Sequence, residues 1–192
     1  RSAIFTGDAL LPRYTPNVGG ADVRVEDPLA TYAASLARLV DRDPAVAYPG
    51  HRDRIDEPGR RAAEILAHHR ERTGRVIDVL DRGPATAWEV SAALFGDLEG
   101  IHVLHGPGEA FAHLDHLAGA GVAERDEATY RLVESTPDVD ALFPTTRLDD
   151  AVSVGHQRPA TPASGHADRQ LTHPTQMDGI RRTRGREPGG EL

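Results

Sequence analysis

The chain has 192 residues, enough for one ordinary domain or two small ones. It contains no cysteine, which excludes disulfides and cysteine-held zinc or iron–sulfur centres. Its net charge of -8, from 30 acidic against 22 basic residues, disfavours non-specific binding to nucleic acid.

No apolar run is long enough to cross a membrane, and no signal segment is visible, so no membrane association is expected and the cytoplasm is the expected location. The chain opens at Arg1, and Ser2-Ala3-Ile4-Phe5-Thr6 already has the composition of a strand interior. It therefore reads as part of a longer gene product.

That first strand ends at Thr6-Gly7-Asp8, and a loop rich in Pro, Gly and Asn follows from Pro12 to Ala21. Asp27-Pro28 supplies an N-cap and a first-turn proline, and Leu29, Tyr32, Ala33, Leu36, Leu39 and Val40 recur at helical spacing. The spacing predicts a helix over residues 28–41. Ala45 to Tyr48 is a short apolar strand stopped by Pro49-Gly50. A longer helix is predicted from Pro58, with Ile65, Leu66, His69, Thr73, Val76, Ile77 and Leu80 inward and Gly83-Pro84 as its end. Thr86-x-x-Glu89 is a capping box that places a helix from Ala87 to about Leu94. Pro107-Gly108-Glu109 opens another, and two short strands, Val122 to Glu124 and Thr129 to Val133, close the folded part. Three helices followed by a hairpin is the plan of a winged helix. From about Pro144 the composition turns to Pro, Gly, Ser, Thr, His and Arg, and disorder is expected there.

Two segments have the composition of a site. Ile4-Phe5-Thr6-Gly7-Asp8 hands a buried strand through glycine to a carboxylate, and Ala45 to His51 ends a buried strand in a tight turn that presents an imidazole. Strand ends in α/β folds are where sites are built. One carboxylate and one His suit a borderline divalent cation such as zinc. On local grounds a helix or turn cap at Asp8 and an ordinary turn at Pro49-Gly50-His51 remain open.

Phe5-Thr6-Gly7-Asp8, followed some forty residues later by Tyr48-Pro49-Gly50-His51, resembles the second half of a metallo-β-lactamase-fold hydrolase. The following region is similar to the C-terminal domain of the lactamase-like protein 2 branch of that family. The resemblance implies an α/β fold, with the second part of an αββα sandwich at 1–57 and a winged helix at 58–135; composition leaves 136–192 as a tail. It implies that Asp8 bridges two Zn2+ ions, that His51 completes the coordination of the second, and that both serve catalysis. The implied reaction is hydrolysis of a thioester, ester or phosphodiester, the last including RNA, by a metal-bound hydroxide. The family's His-x-His-x-Asp-His motif and its next single His are absent from these 192 residues. The chain by itself is therefore expected to be inactive. Arg52-Asp53-Arg54 stands where many relatives have Gly-Pro, which alters the expected substrate mouth.

The other histidines invite a metal reading more weakly. His113 and His116 share a helix face at a spacing of three, with a solvated face as the expected alternative; His68 and His69 point to different faces and are assigned no metal. Trp88 is expected to pack. The alternative to an enzyme is a winged-helix module that binds nucleic acid or another partner without catalysis. Its recognition helix, Pro107 to Ala120, has no Arg, and residues 62–135 carry six Arg against thirteen acidic residues, a balance of -7. Duplex DNA is therefore not an expected partner. The run Arg181-Arg182-Thr183-Arg184-Gly185-Arg186 could touch RNA but is more simply solvated.

Overall fold

Strand β1 (Ala3–Gly7) lies parallel to β2 (Val46–Pro49), and the crossover between them carries helix α1 (Pro28–Arg42). The computed structural model describes residues 2–19, 25–97, 100, 102–133 and 135–149. The chain divides into two units, Arg1–Pro159 and Ala160–Leu192, of which the second lies outside the described residues. The expectations for the tail beyond Asp149, including the Arg181 to Arg186 run, lie outside them too.

Helix α1 begins where Asp27 and Pro28 place it. The Asp27 carboxylate accepts from the backbone N–H of Ala30 at 2.9 Å, with Asp27 itself in the left-handed region at φ 40°. Leu29, Ala33, Leu36, Leu39 and Val40 are buried along one face. Helix α2 (Pro58–Leu80) follows β2 and is the longest element among the described residues. Next come β3 (Ala85–Thr86), α3 (Ala87–Phe95), α4 (His102–Gly119), β4 (Ala123–Asp126) and β5 (Thr129–Leu132). The capping box at α3 is complete: Glu89 N–H donates to Thr86 Oγ1, and the Thr86 N–H donates to the Glu89 carboxylate at 2.8 Å. The Thr86 N–H and the Thr86 hydroxyl both donate to that carboxylate and hold it below its ordinary range. Strands β3, β5 and β4 form an antiparallel sheet in that order. The two-residue β3 had no sequence signal of its own.

Two apolar cores result. The first gathers Leu10, Leu29, Leu36, Val40, Ala47 and, from α2, Ala62, Ala63, Ile65 and Leu66, joined by Ala112 and Phe143. The second gathers Val76, Leu80, Val90, Leu114, Leu117 and Tyr130. The first half of α2 thus serves one core and its last turns serve the other. The boundary expected at 57/58 falls at the start of a helix that both cores share.

Three local expectations differ from the structure. Helix α4 starts at His102, not at Pro107, so the proline lies inside it. Pro107 has no N–H for the carbonyl four residues back, yet packing against α3 carries the helix through. Trp88 is 61% exposed and lines a small open groove with Ser91, Val103 and Pro107 instead of packing in a core. Residues 144–149, expected to be loose, are tied down. Phe143 is 5% exposed, Arg70 donates to the Pro144 carbonyl at 2.7 Å and to both oxygens of Asp149 at 3.1 Å, and Arg147 donates to the Val40 carbonyl at 2.9 Å. Burial raises the Asp149 carboxyl's pKa, but the Arg70 and Thr146 hydrogen bonds outweigh it, and the net shift is downward. Composition missed this segment because its anchors are charged groups on distant helices. Arg70→Ala is expected to cost about 2 kcal/mol, the scale of hydrogen bonds to charged groups. Limited proteolysis should then cleave within residues 135–149, where the wild type resists. Equal resistance in both would show that Arg70 does not anchor the segment.

Candidate functional site

Each strand ends on a glycine turn. Gly7 ends β1 at φ +52°, a left-handed conformation that L side chains rarely adopt. Its carbonyl accepts from the Gly50 N–H at 2.9 Å, so the two turns are stitched together. A Cβ at residue 50 would lie 2.6 Å from Asp8 Oδ1, so any larger residue there would push the carboxylate aside. Beyond the turn, Ala47 and Ile55 exchange backbone hydrogen bonds of 2.9 and 2.8 Å and close the loop that carries His51.

The loop after β1 is held from two helices. Tyr32 on α1 donates its hydroxyl to the Ala9 carbonyl at 2.9 Å, and Arg61 on α2 donates to the carbonyls of Leu11 and Tyr14 at 2.8 and 3.1 Å. Burial pushes the Tyr32 phenol's pKa well up, against the pull of Arg61, so it stays a donor. Sequence periodicity read Tyr32 only as a buried helix position.

These constraints bring Asp8 and His51 together: His51 Nε2 lies 3.4 Å from Asp8 Oδ2. Both side chains are open to solvent, His51 at 72% and Asp8 at 61%. At that distance and exposure the contact contributes little as an ion pair. It does match the donor set of a divalent cation, one imidazole nitrogen and one carboxylate oxygen, spaced like two ligands with bonds of about 2 Å. Among the described residues no third His, Asp or Glu converges on these two. Beside them the face of the two-stranded sheet is apolar and open. Phe5 is 85% exposed, and its ring centroid is 5.5 Å from that of Tyr48.

A second cluster lies between α2 and α4. His69, Glu109 and His113 are buried, and their ligand atoms lie within 4.8 Å of one another. His69 Nδ1 is 3.4 Å from His113 Nε2, and Thr73 Oγ1 is 2.8 Å from His113 Nδ1. Burial, then the nearby His68 and Arg72, lowers the His69 pKa to about 3, and burial holds His113 well below 6.5. The Glu109 carboxylate pairs with Arg72 and accepts from Asn17 Nδ2 at 3.1 Å. His69, which the sequence reading assigned to no metal, is thus part of the described residues' one group of three possible ligands.

The solvated face expected for His113 and His116 does not exist, because α1, α2 and the 137–149 segment cover it. The two side chains also part company. His116 Nδ1 lies 3.0 Å from the Asp27 carboxylate and Nε2 lies 3.0 Å from the Leu142 carbonyl oxygen.

No family model matches the chain. Among curated proteins it is 34% identical over 84 residues to the lactamase-like protein adaB of Aspergillus niger, covering 44% of this chain and 24% of that protein. It is 33% identical over 116 residues to a probable metallo-hydrolase, YqjP, of Bacillus subtilis, covering 58% of this chain and 36% of that protein. Among solved structures it is similar to a metallo-β-lactamase family protein from Thermus thermophilus, at 37% identity and a TM-score of 0.59. It is also similar to a β-lactamase domain protein from Burkholderia ambifaria, at 29% identity and a TM-score of 0.62. Those matches cover 67% and 69% of this chain, each with 42% of the other. The likeness therefore extends well past residue 57, while the chain spans less than half the length of each of these proteins. Relatives and structural neighbours alike are metallo-β-lactamase-fold proteins, and the mixed α/β fold of this chain resembles theirs.

Proposed function

We propose that this chain carries the Asp8 and His51 ligands of a metal-dependent hydrolase of the metallo-β-lactamase superfamily. The observation that carries the reading is the 3.4 Å approach of Asp8 and His51 at the ends of two paired parallel strands. The relatives support it, since one is named a probable metallo-hydrolase. Asp8 offers carboxylate oxygens from a turn tied to the second strand end by the Gly50 N–H to Gly7 carbonyl bond, and His51 offers Nε2 from a loop closed by Ala47 and Ile55. When bound, a divalent cation, with zinc the best match to this donor pair, supplies Lewis acidity toward an ester, thioester or phosphodiester oxygen. Two ligands do not complete a catalytic shell, so turnover requires further ligands from the rest of a protein as long as the relatives. The 192 residues alone are expected to be inactive, and water is the expected nucleophile in the complete protein.

We read the α2 to β5 region as a winged helix that packs against the first region and does not read DNA. Its support is the order helix, short strand, helix, helix, hairpin, with a three-stranded sheet in the order β3-β5-β4. The helix that would enter a groove, α4, buries Ala110, Ala112, His113, Leu114, His116 and Leu117. A helix so enclosed offers little face to a duplex.

The test compares the chain extended over the relatives' length with its Asp8→Ala and His51→Ala variants, on thioester, carboxylic ester and RNA substrates. Each variant is expected to lose on the order of 100-fold or more in turnover, since even outer-shell changes at metal sites cost about 10- to 100-fold. Turnover within about twofold of the wild type in both would refute the assignment of these two residues.

A further inference from the structure

The geometry points to a second divalent-cation site, built from His69, Glu109 and His113 and buried between α2 and α4. It is independent of the strand-end pair and would take a borderline cation such as Zn2+ or Co2+. Two nitrogen donors exclude Mg2+ and Ca2+, which prefer all-oxygen shells.

The separation of the imidazoles decides between two uses of the pair. His69 Nδ1 and His113 Nε2 are 3.4 Å apart, longer than the 2.7–3.2 Å or so of a good hydrogen bond. Zinc–nitrogen bonds of about 2.0–2.1 Å arranged tetrahedrally place neighbouring ligands roughly 3.3 Å apart, close to the observed value. Thr73 Oγ1, 2.8 Å from His113 Nδ1, fixes that ring with Nε2 toward the cluster, the outer-shell contact that metal-binding histidines usually have. The donors come from two helices at matched spacing. His69 and Thr73 are four apart on α2, and Glu109 and His113 are four apart on α4, so each pair lies on one face. His69 and His113 are 1% and 0% exposed, and His69 Nε2 has no hydrogen-bond partner among the described residues, so the cluster is buried and incompletely satisfied. Asn17, which donates to Glu109, is exposed, so the carboxylate is one side chain from solvent.

Arg72 is the competitor. Its guanidinium pairs with Glu109 Oε1 and already neutralises the carboxylate. A cation taking a Glu109 oxygen must share it with Arg72 or displace it, and the residual positive charge limits affinity. Arg72 therefore sets how tightly the site binds, and removing its charge should tighten binding where a purely structural cluster would only be destabilised.

The test uses the 192-residue chain with Asp8→Ala and His51→Ala together, which removes the strand-end ligands. After chelator treatment, Zn2+ is titrated by calorimetry and Co2+ by its visible absorption. One equivalent of Zn2+ is expected, with a four-coordinate cobalt spectrum. Glu109→Gln, nearly isosteric, should weaken Zn2+ about tenfold or more, and Arg72→Gln should tighten it by about the same factor. Circular dichroism confirms folding, and these two variants keep the test open if changes at the buried histidines unfold the chain. No stoichiometric binding in the folded double variant, or affinity unchanged by Glu109→Gln, overturns the site. An Arg72→Gln affinity equal to or below that of the double variant does so as well.

Discussion

Leu66→Ala and Leu114→Ala are each expected to destabilise the chain by about 2–5 kcal/mol and to lower one and the same unfolding transition. Both side chains are fully buried, Leu66 in the first core and Leu114 in the second. Truncating either removes several methyl-sized groups from water-free surroundings and leaves a cavity that helix packing only partly refills. Whether the two losses appear in one transition depends on α2. Its 23 residues, roughly 35 Å of helix, place Ile65 and Leu66 in one core and Val76 and Leu80 in the other. Melting one half exposes backbone and side chains on which the other depends. Urea unfolding followed by near-ultraviolet and helical signals should therefore coincide for the wild type and both variants. Two separated transitions, each sensitive to only one substitution, would show that α2 breaks in the middle and that the cores fold independently.

A second large effect is expected from acid. In chelator-treated protein, lowering the pH from about 7.5 to about 5.5 should remove roughly 2–3 kcal/mol of stability. His69 and His113 have folded pKa values below the ordinary 6.5, His69 at about 3, because burial penalises their charged forms. Below 6.5 the unfolded chain takes up protons that the folded chain refuses, so stability is complete above that value. It falls as the pH drops toward the folded values. One pH unit corresponds to about 1.4 kcal/mol per group once the unfolded His is protonated, and two groups double the slope. The groups facing the pair reinforce the effect, since His68, Arg72 and His116 all oppose added positive charge and only Glu109 in the cluster favours it. Urea midpoints across this range test the effect, with His69→Gln expected to flatten the slope by about half. A stability that is level or rises on acidification would mean that these imidazoles are not buried and neutral in the folded chain.

Much of the fold was legible. Asp27-Pro28 and Thr86-x-x-Glu89 start helices at the expected residues, because a cap is a local hydrogen bond between near neighbours. The two strand-end turns were legible for a similar reason. Glycine beside a polar residue at the end of an apolar run has few structural solutions. The helix-buried cluster was not legible. His69 and Glu109 are forty residues apart, and nothing local marks that α2 and α4 meet there. Spacing pointed to His113 and His116 as a pair, but three residues on a helix differ by about 60° around the axis. In a crowded interior that angle directs one ring to α2 and the other to Asp27 and Leu142. The 144–149 segment was misread because its composition is that of a loose chain, and its order comes from Arg70 on α2.

The contact between Gly50 and Asp8 limits how this molecule can be made more heat-resistant. Replacing glycine by alanine in loops is a common stabilising step, gaining about 0.4–1 kcal/mol by restricting the unfolded chain. At residue 50 the added methyl would fall 2.6 Å from Asp8 Oδ1, so the carboxylate would have to move. The backbone freedom retained there in the unfolded chain is the thermodynamic counterpart of holding a carboxylate against an imidazole. A stabilised version of the chain has to find its gains elsewhere, and any design that substitutes this position exchanges the spacing of Asp8 and His51 for rigidity.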